Sequence, residues 1–239
     1  MAGTTPERQE KGLIDAINAA VRKNSGNPIT LVTSRNKIIG VIGAEKYNGR
    51  QTSGSEPYTD VVIKTTKGIK NISCKGPSAP SLAGGGLKGL ELAVPGIASK
   101  FMRAAYAALI KKLNPGDKVP DVFGKITGAT KDKIVIGNAA MGGPIDFMYI
   151  GPMDVAKTYD EKNNKLNISG EFYEAKAYSQ SHELYFRLRA RREDQRFDPD
   201  AKDTNGTPKI YGKSPSKGDS AGRIVVIDKV SSNGIVVNI

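Results

Sequence analysis

The stretch "YTDVVIKTTKGIKNISCKGPSAPS", residues 58–81, reads as two short strands around a tight turn. "DVVIKT" and "KNISCK" carry the β-branched content of half-buried strands, and "TKG" supplies the glycine a hairpin turn favours. One acid, Asp60, opens the hairpin and one lysine, Lys75, closes it. If both side chains point to one face, they stand side by side at the same end of the sheet. A carboxylate there can hold Mg²⁺, which takes oxygen ligands and keeps several of its waters. A neighbouring ammonium can orient a metal-bound water or offset the charge that builds on a phosphate. The plainer reading of the same pair is a cross-strand ion pair worth a fraction of a kcal/mol.

Outward from the hairpin, the chain alternates helices with strands. Thr5 and Pro6 fit the start of a first helix, whose apolar stripe runs Leu13, Ile14, Ile17, Ala20 and Val21 until "NSGNP" ends it. Glu10 falls on that stripe, three, four and seven residues before Leu13, Ile14 and Ile17, an unusual place for a carboxylate. "ITLVTS" reads as a strand, while "NKIIGVIGAEKYNG" fits no element clearly. Pro77, Pro80 and Gly84-Gly85-Gly86 break regular structure after Lys75, and a long helix follows from about Pro95 to Leu113. "KIVIG" and "IDFMYIG" read as further strands. The expected fold is α/β, a mixed central sheet flanked by helices over residues 1–155. A β-rich basic elaboration over residues 156–239 packs on the same core.

Helix, strand, an acid-to-x-Lys hairpin, helix, strand resembles the nuclease superfamily named for its PD-(D/E)XK motif. "TDVVI" stands for the aspartate strand and "ISCK" for the x-Lys strand, over about residues 6–150. Thr59 replaces the proline, and Ser73 replaces the acid two residues before Lys75. Some restriction endonucleases of this superfamily have Ser-x-Lys and take a glutamate from the following helical segment, which here implies Glu91. Archaeal junction-resolving enzymes of the superfamily take a glutamate from the first helix, which implies Glu10. The resemblance thus implies a restriction-endonuclease-like core in which Asp60 and Glu91 or Glu10 bind Mg²⁺ and Lys75 positions the attacking water. Its alternative is a non-catalytic nucleic-acid-binding or viral structural protein that keeps the fold, with Ser73 marking a decayed site.

A competing constellation lies further on. "PIDFMYIG" carries Asp146, and "GEFYEAK" carries Glu174-Ala175-Lys176, a literal Glu-x-Lys. Against it, no strong helix follows Lys176. "GGGLKG" lacks the spacing of a phosphate-binding loop and reads as a flexible connection. Cys74, between Ser73 and Lys75, should face away from them as a small buried residue, and His182 has no imidazole partners for a metal.

"ELYFRLRARRE" alternates cleanly, with Phe186, Leu188 and Ala190 on one face and Arg187, Arg189 and Arg191 on the other. Arginines about 6.8 Å apart on an extended strand match the spacing of successive phosphates. Lys209, Lys213, Lys217 and Arg223 on the later loop could clamp a duplex, whereas Glu183, Glu193 and Asp194 favour a salt-bridged surface. The net charge is +12, and residues 1–120 hold 18 Lys/Arg against 8 Asp/Glu. That excess favours a polyanionic partner such as nucleic acid, and the resemblance to the nuclease superfamily implies double-stranded DNA. One cysteine and one histidine among 239 residues exclude an internal disulfide and multi-cysteine or multi-histidine zinc sites. The polar opening "MAGTTPERQEKG" and the lack of a long uncharged apolar run point to a cytoplasmic protein without a membrane span. Cutting two strands would suit a homodimer.

Overall fold

The computed structural model describes residues 5–54, 56–77 and 86–239. Pro80 and Gly84-Gly85 lie outside the described residues, as do the side chains of Thr5 and Pro6. The chain is mixed α/β and forms two compact units, Met1–Pro80 with Val135–Ser181, and Ser81–Ile134 with His182–Ile239. The boundary expected near residue 155 falls inside the first unit, because strands beyond it pair back onto that unit's sheet.

The first unit opens with α1 (Thr5–Lys23), which buries the expected stripe of Leu13, Ile17, Ala20 and Val21. Its sheet contains β1 (Ile29–Val32), β2 (Lys37–Lys46), β3 (Val61–Thr65) and β4 (Gly68–Lys75), then β6 (Phe147–Ile150), β7 (Lys157–Asp160), β8 (Lys165–Ile168) and β9 (Glu171–Glu174). The strand order is β7-β8-β1-β2-β3-β4-β6-β9. The β1–β8 and β4–β6 pairs are parallel and the others antiparallel, so the sheet is mixed. One core joins α1 to the inner face of this sheet through Val41, Val61, Ile63, Ile72, Tyr149 and Phe172. Each such side chain gains about 1.5–3 kcal/mol on full burial.

The segment that fits no clear pattern, residues 36–49, supplies β2. Its register against β3 shifts between Val41 and Gly43, an irregularity that breaks the two-residue period in the sequence. Asn18 of α1 binds the strand just beyond this irregularity: its Nδ2 donates to the Ala44 carbonyl, and its Oδ1 accepts from the Ala44 N–H, both at 2.8 Å. Helix and strand are thereby locked in one register.

The second unit contains α2 (Gly86–Ala93), α3 (Ile97–Leu109) and a sheet of β5 (Val122–Ile126), β10 (Leu184–Ala190), β11 (Gly222–Ile227) and β12 (Ile235–Val237), ordered β11-β10-β5-β12. Phe186 and Leu188 point into its core, and the Phe186 ring lies 5.4 Å from that of Phe101 on α3. A Cβ at Gly124 would stand 2.8 Å from the Phe101 ring, so only glycine lets α3 approach β5 this closely.

"KIVIG" is not a strand. It ends α4 (Ala129–Ile136), which buries Ile134 and Val135 and is stopped by Gly137 at φ +72°. Its β-branched run mimics a strand; the glycine that ends the helix is the competing signal. Residues 175–181 form a short helix, α5 (Ala175–Ser181). Among the described residues, no helix is long and apolar enough to cross a membrane.

Candidate active site

Asp60 is held by three strands. It stands just before β3, where its N–H donates to the Ile72 carbonyl at 2.8 Å and its carbonyl accepts from the Tyr47 N–H at 3.0 Å. Thr59, in the place of the motif's proline, is fully buried and donates its hydroxyl to the Gly142 carbonyl at 2.6 Å. Because Val61 pairs with Ile72, Asp60 stands opposite Ser73. Its Oδ2 accepts the Ser73 hydroxyl at 3.2 Å and the Cys74 N–H at 2.6 Å. Burial pushes the Asp60 carboxyl above the usual range; the Lys75 charge and these two hydrogen bonds pull it back only in part.

Lys75 ends β4 two residues after Ser73, and so on the same face of the strand. Cys74, between them, packs with the apolar core instead. Burial, then the Asp60 and Glu10 charges, drive its thiol well above the usual range, which makes it a poor nucleophile.

Glu10 enters from α1 and is only 13% exposed. Burial raises its carboxyl, and the negative charge of Asp60 raises it further. Lys46, at the end of β2, opposes both effects from 3.3 Å. Glu10 therefore feels the charge of Asp60, and a lysine moderates each carboxyl, Lys46 for Glu10 and Lys75 for Asp60.

Sequence reasoning missed two residues of this arrangement, Lys46 and Gln9. Gln9 is 2% exposed, and its Nε2 lies 3.0 Å from the Lys75 carbonyl and 2.7 Å from that of Gly151. One amide thus ties the start of α1 to the ends of β4 and β6. The signal was present: Gln9 precedes Leu13 by four residues and shares its stripe. Gln9→Ala leaves the Gly151 carbonyl short of a donor, while the Lys75 carbonyl keeps the Gly151 N–H, and should cost about 1–3 kcal/mol, read as a lower urea midpoint with an unchanged slope.

Glu91 is engaged otherwise. It lies on α2 in the second unit, and its carboxylate accepts the N–H groups of Gly96 and Ala98 at the start of α3. Such capping satisfies orphan donors and complements the helix dipole.

The Asp146, Glu174 and Lys176 constellation does not have the geometry of an x-Lys strand. Glu174 ends β9, whereas Lys176 is exposed on α5, so the two do not alternate along one strand. Asp146 is occupied by Lys70 at 2.9 Å and by the Asn71 N–H at 2.8 Å.

On β10 the arginines alternate with buried residues as expected, but they differ in their partners. Arg187 pairs with Asp121 at 2.5 Å and Arg191 with Asp219 at 3.0 Å. Arg189 makes no ion pair among the described residues, while Lys213 and Lys217 are exposed. Comparison with protein-family models, with curated proteins and with solved structures finds no match to the chain.

Proposed function

We propose that the first unit carries a Mg²⁺-dependent site for phosphodiester hydrolysis, and that the chain is a DNA endonuclease of the restriction type with a restriction-endonuclease-like core. The observation that carries this reading is the Asp60 carboxylate, fixed by the Ser73 hydroxyl and the Cys74 N–H on the strand that ends at Lys75, with the sheltered Glu10 of α1 within reach of its charge. Like charges brought together away from water favour a cation between them. Among the described residues no group of three or more His, Cys, Asp or Glu is gathered, so a cage built wholly from protein ligands is not offered. Two carboxylates nevertheless suit Mg²⁺, which commonly takes one or two and keeps water for the rest. When bound, the ion supplies positive charge to a phosphate and acidifies a water.

The chain's own residues divide the remaining work. Asp60 and Glu10 hold the cation. The Ser73 hydroxyl and the Cys74 N–H fix the Asp60 carboxylate in one rotamer. Lys75, on the same face, holds a positive charge where the reacting phosphate gains negative charge. Cleavage of both strands calls for two copies of the site, and with them a two-fold dimer.

Ser73 carries the second reading. Its hydroxyl occupies the strand position of an acid, and a site that has lost a ligand this way would bind nucleic acid without cutting it. Incubating supercoiled plasmid with the protein, with Mg²⁺, Mn²⁺ or EDTA, separates the two. Nicking with either metal and none in EDTA is expected; binding without nicking supports the second reading, and absence of binding removes both.

A further inference from the structure

The cations of the second unit's sheet are not equivalent. Lys125 on β5 is paired with Glu183, Arg187 with Asp121, and Arg191 with Asp219. Arg189 is different. In the antiparallel register of β10 and β11 it stands directly opposite Arg223, and among the described residues neither makes an ion pair or side-chain hydrogen bond. Directly opposed residues have Cβ atoms about 4.5–5.5 Å apart, and like charges there destabilise a sheet. The strand register thus sets two arginines directly opposite each other at a cost, with no acid among the described residues paired to either. Arg223 is exposed and Arg189 partly so, which leaves both open to an outside partner.

We propose that Arg189 and Arg223 form a seat for one backbone phosphate of a nucleic acid. Guanidinium groups match phosphate oxygens in bidentate geometry, and one doubly charged seat lowers the repulsion that the strand register imposes. The seat is discrete. On either side of Arg189 along the chain, Arg187 and Arg191 are already neutralised, so the arginine strand offers one anion position rather than a track. A free phosphate ion gains little at an open, hydrated surface. A polymer gains more, because each phosphate neutralised releases condensed counterions. The unit's balance of 20 Lys/Arg against 12 Asp/Glu adds long-range attraction for such a partner. This seat belongs to the second unit and does not require the first unit to cut anything.

The test is fluorescence-anisotropy binding of a labelled duplex across a salt series, in EDTA so that cleavage plays no part. Arg189→Gln with Arg223→Gln should flatten the slope of log K against log salt by about 0.9 and weaken binding roughly five- to tenfold at 100 mM salt. Arg189→Lys with Arg223→Lys keeps the charge, so it should keep the slope and lose only a small part of the affinity. Lys202→Gln with Lys229→Gln removes the same net charge from exposed positions of the same unit and should change binding about twofold or less. The Gln pair should also melt no lower than wild type, since it removes a repulsion. An unchanged slope in the Gln pair, or an equal loss in the Lys202 and Lys229 control, overturns the seat. So does displacement of the duplex by millimolar inorganic phosphate that depends on the arginines. Preferential binding to anionic phospholipid vesicles, lost in the Gln pair, would replace nucleic acid by a membrane surface as the partner.

Discussion

Lys75→Ala is expected to reduce Mg²⁺-dependent nicking about 10²–10³-fold while duplex affinity changes by about twofold or less. The asymmetry follows from where the lysine acts. One ammonium beside the reacting phosphate stabilises charge that exists only at the transition state, whereas ground-state affinity is shared among many phosphate contacts. The substitution should leave the fold intact. β4 is held through backbone pairing to β3 and β6, and Gln9 bonds the Lys75 carbonyl rather than its side chain. Single-turnover cleavage together with anisotropy binding provides the check. A secondary effect has a definite sign. The Lys75 charge lowers the Asp60 carboxyl, so its removal lets that carboxyl rise further. The acid limb of any residual activity should therefore move to higher pH. If Lys75 were only an ion-pair partner of Asp60, that shift would appear without the large loss in rate.

How much of this was legible depends on the range of the interaction. The hairpin of β3 and β4 is local: a turn, two β-branched strands and charges near matching ends lie within sixteen residues, although the register places Asp60 opposite Ser73, two residues short of Lys75. The α1 stripe is equally local, and it exposed Glu10 as the acid out of place. Alternation likewise identified β10 and its buried face. The failures are non-local or arise from competing signals. α4 read as a strand because Ile134, Val135 and Ile136 are β-branched, although Gly137 marks a helix end. β2 was obscured by an irregularity between Val41 and Gly43 that breaks its two-residue period. The partners of the arginines lie far along the chain, with Asp121 66 residues from Arg187, so no spacing rule shows which cations are already neutralised. Glu91 follows the same logic: its sequence position suits a site acid, but its carboxylate is used by the adjacent helix start. The interleaving of the two units depends on long-range pairing, and the composition change near residue 155 does not report it.

Asp60→Asn should abolish nicking and yet raise the melting temperature at neutral pH in the absence of divalent metal. Burial lifts the Asp60 carboxyl in the folded chain, whereas the unfolded chain titrates in the ordinary carboxylate range. Between those two values the folded state binds more protons than the unfolded one, so stability falls as pH rises. The contribution is fully present below the unfolded value and is lost as pH climbs through the raised folded value. At neutral pH the ionised carboxylate is a cost. Glu10 adds to it with the same sign, because burial and the Asp60 charge raise its carboxyl too. Asparagine keeps an oxygen to accept the Cys74 N–H and the Ser73 hydroxyl, and removes the charge. In a chain of this size each kcal/mol recovered moves the melting temperature by about 2–4 °C. Removing the charge should also lower the Glu10 carboxyl, since one of the influences raising it is gone. The gain from the substitution should shrink as pH is lowered towards the ordinary carboxylate range. Wild-type protein should in turn gain stability from millimolar Mg²⁺, since a ligand that binds only the folded state stabilises it by RT ln(1 + [L]/Kd). The Asn variant should lose most of that response. Thermal melts at several pH values, with and without Mg²⁺, decide the matter. An Asn variant that melts lower than wild type at every pH, with the Mg²⁺ response intact, would show that Asp60 serves the fold as a partner of Lys75 and that the cation is held elsewhere.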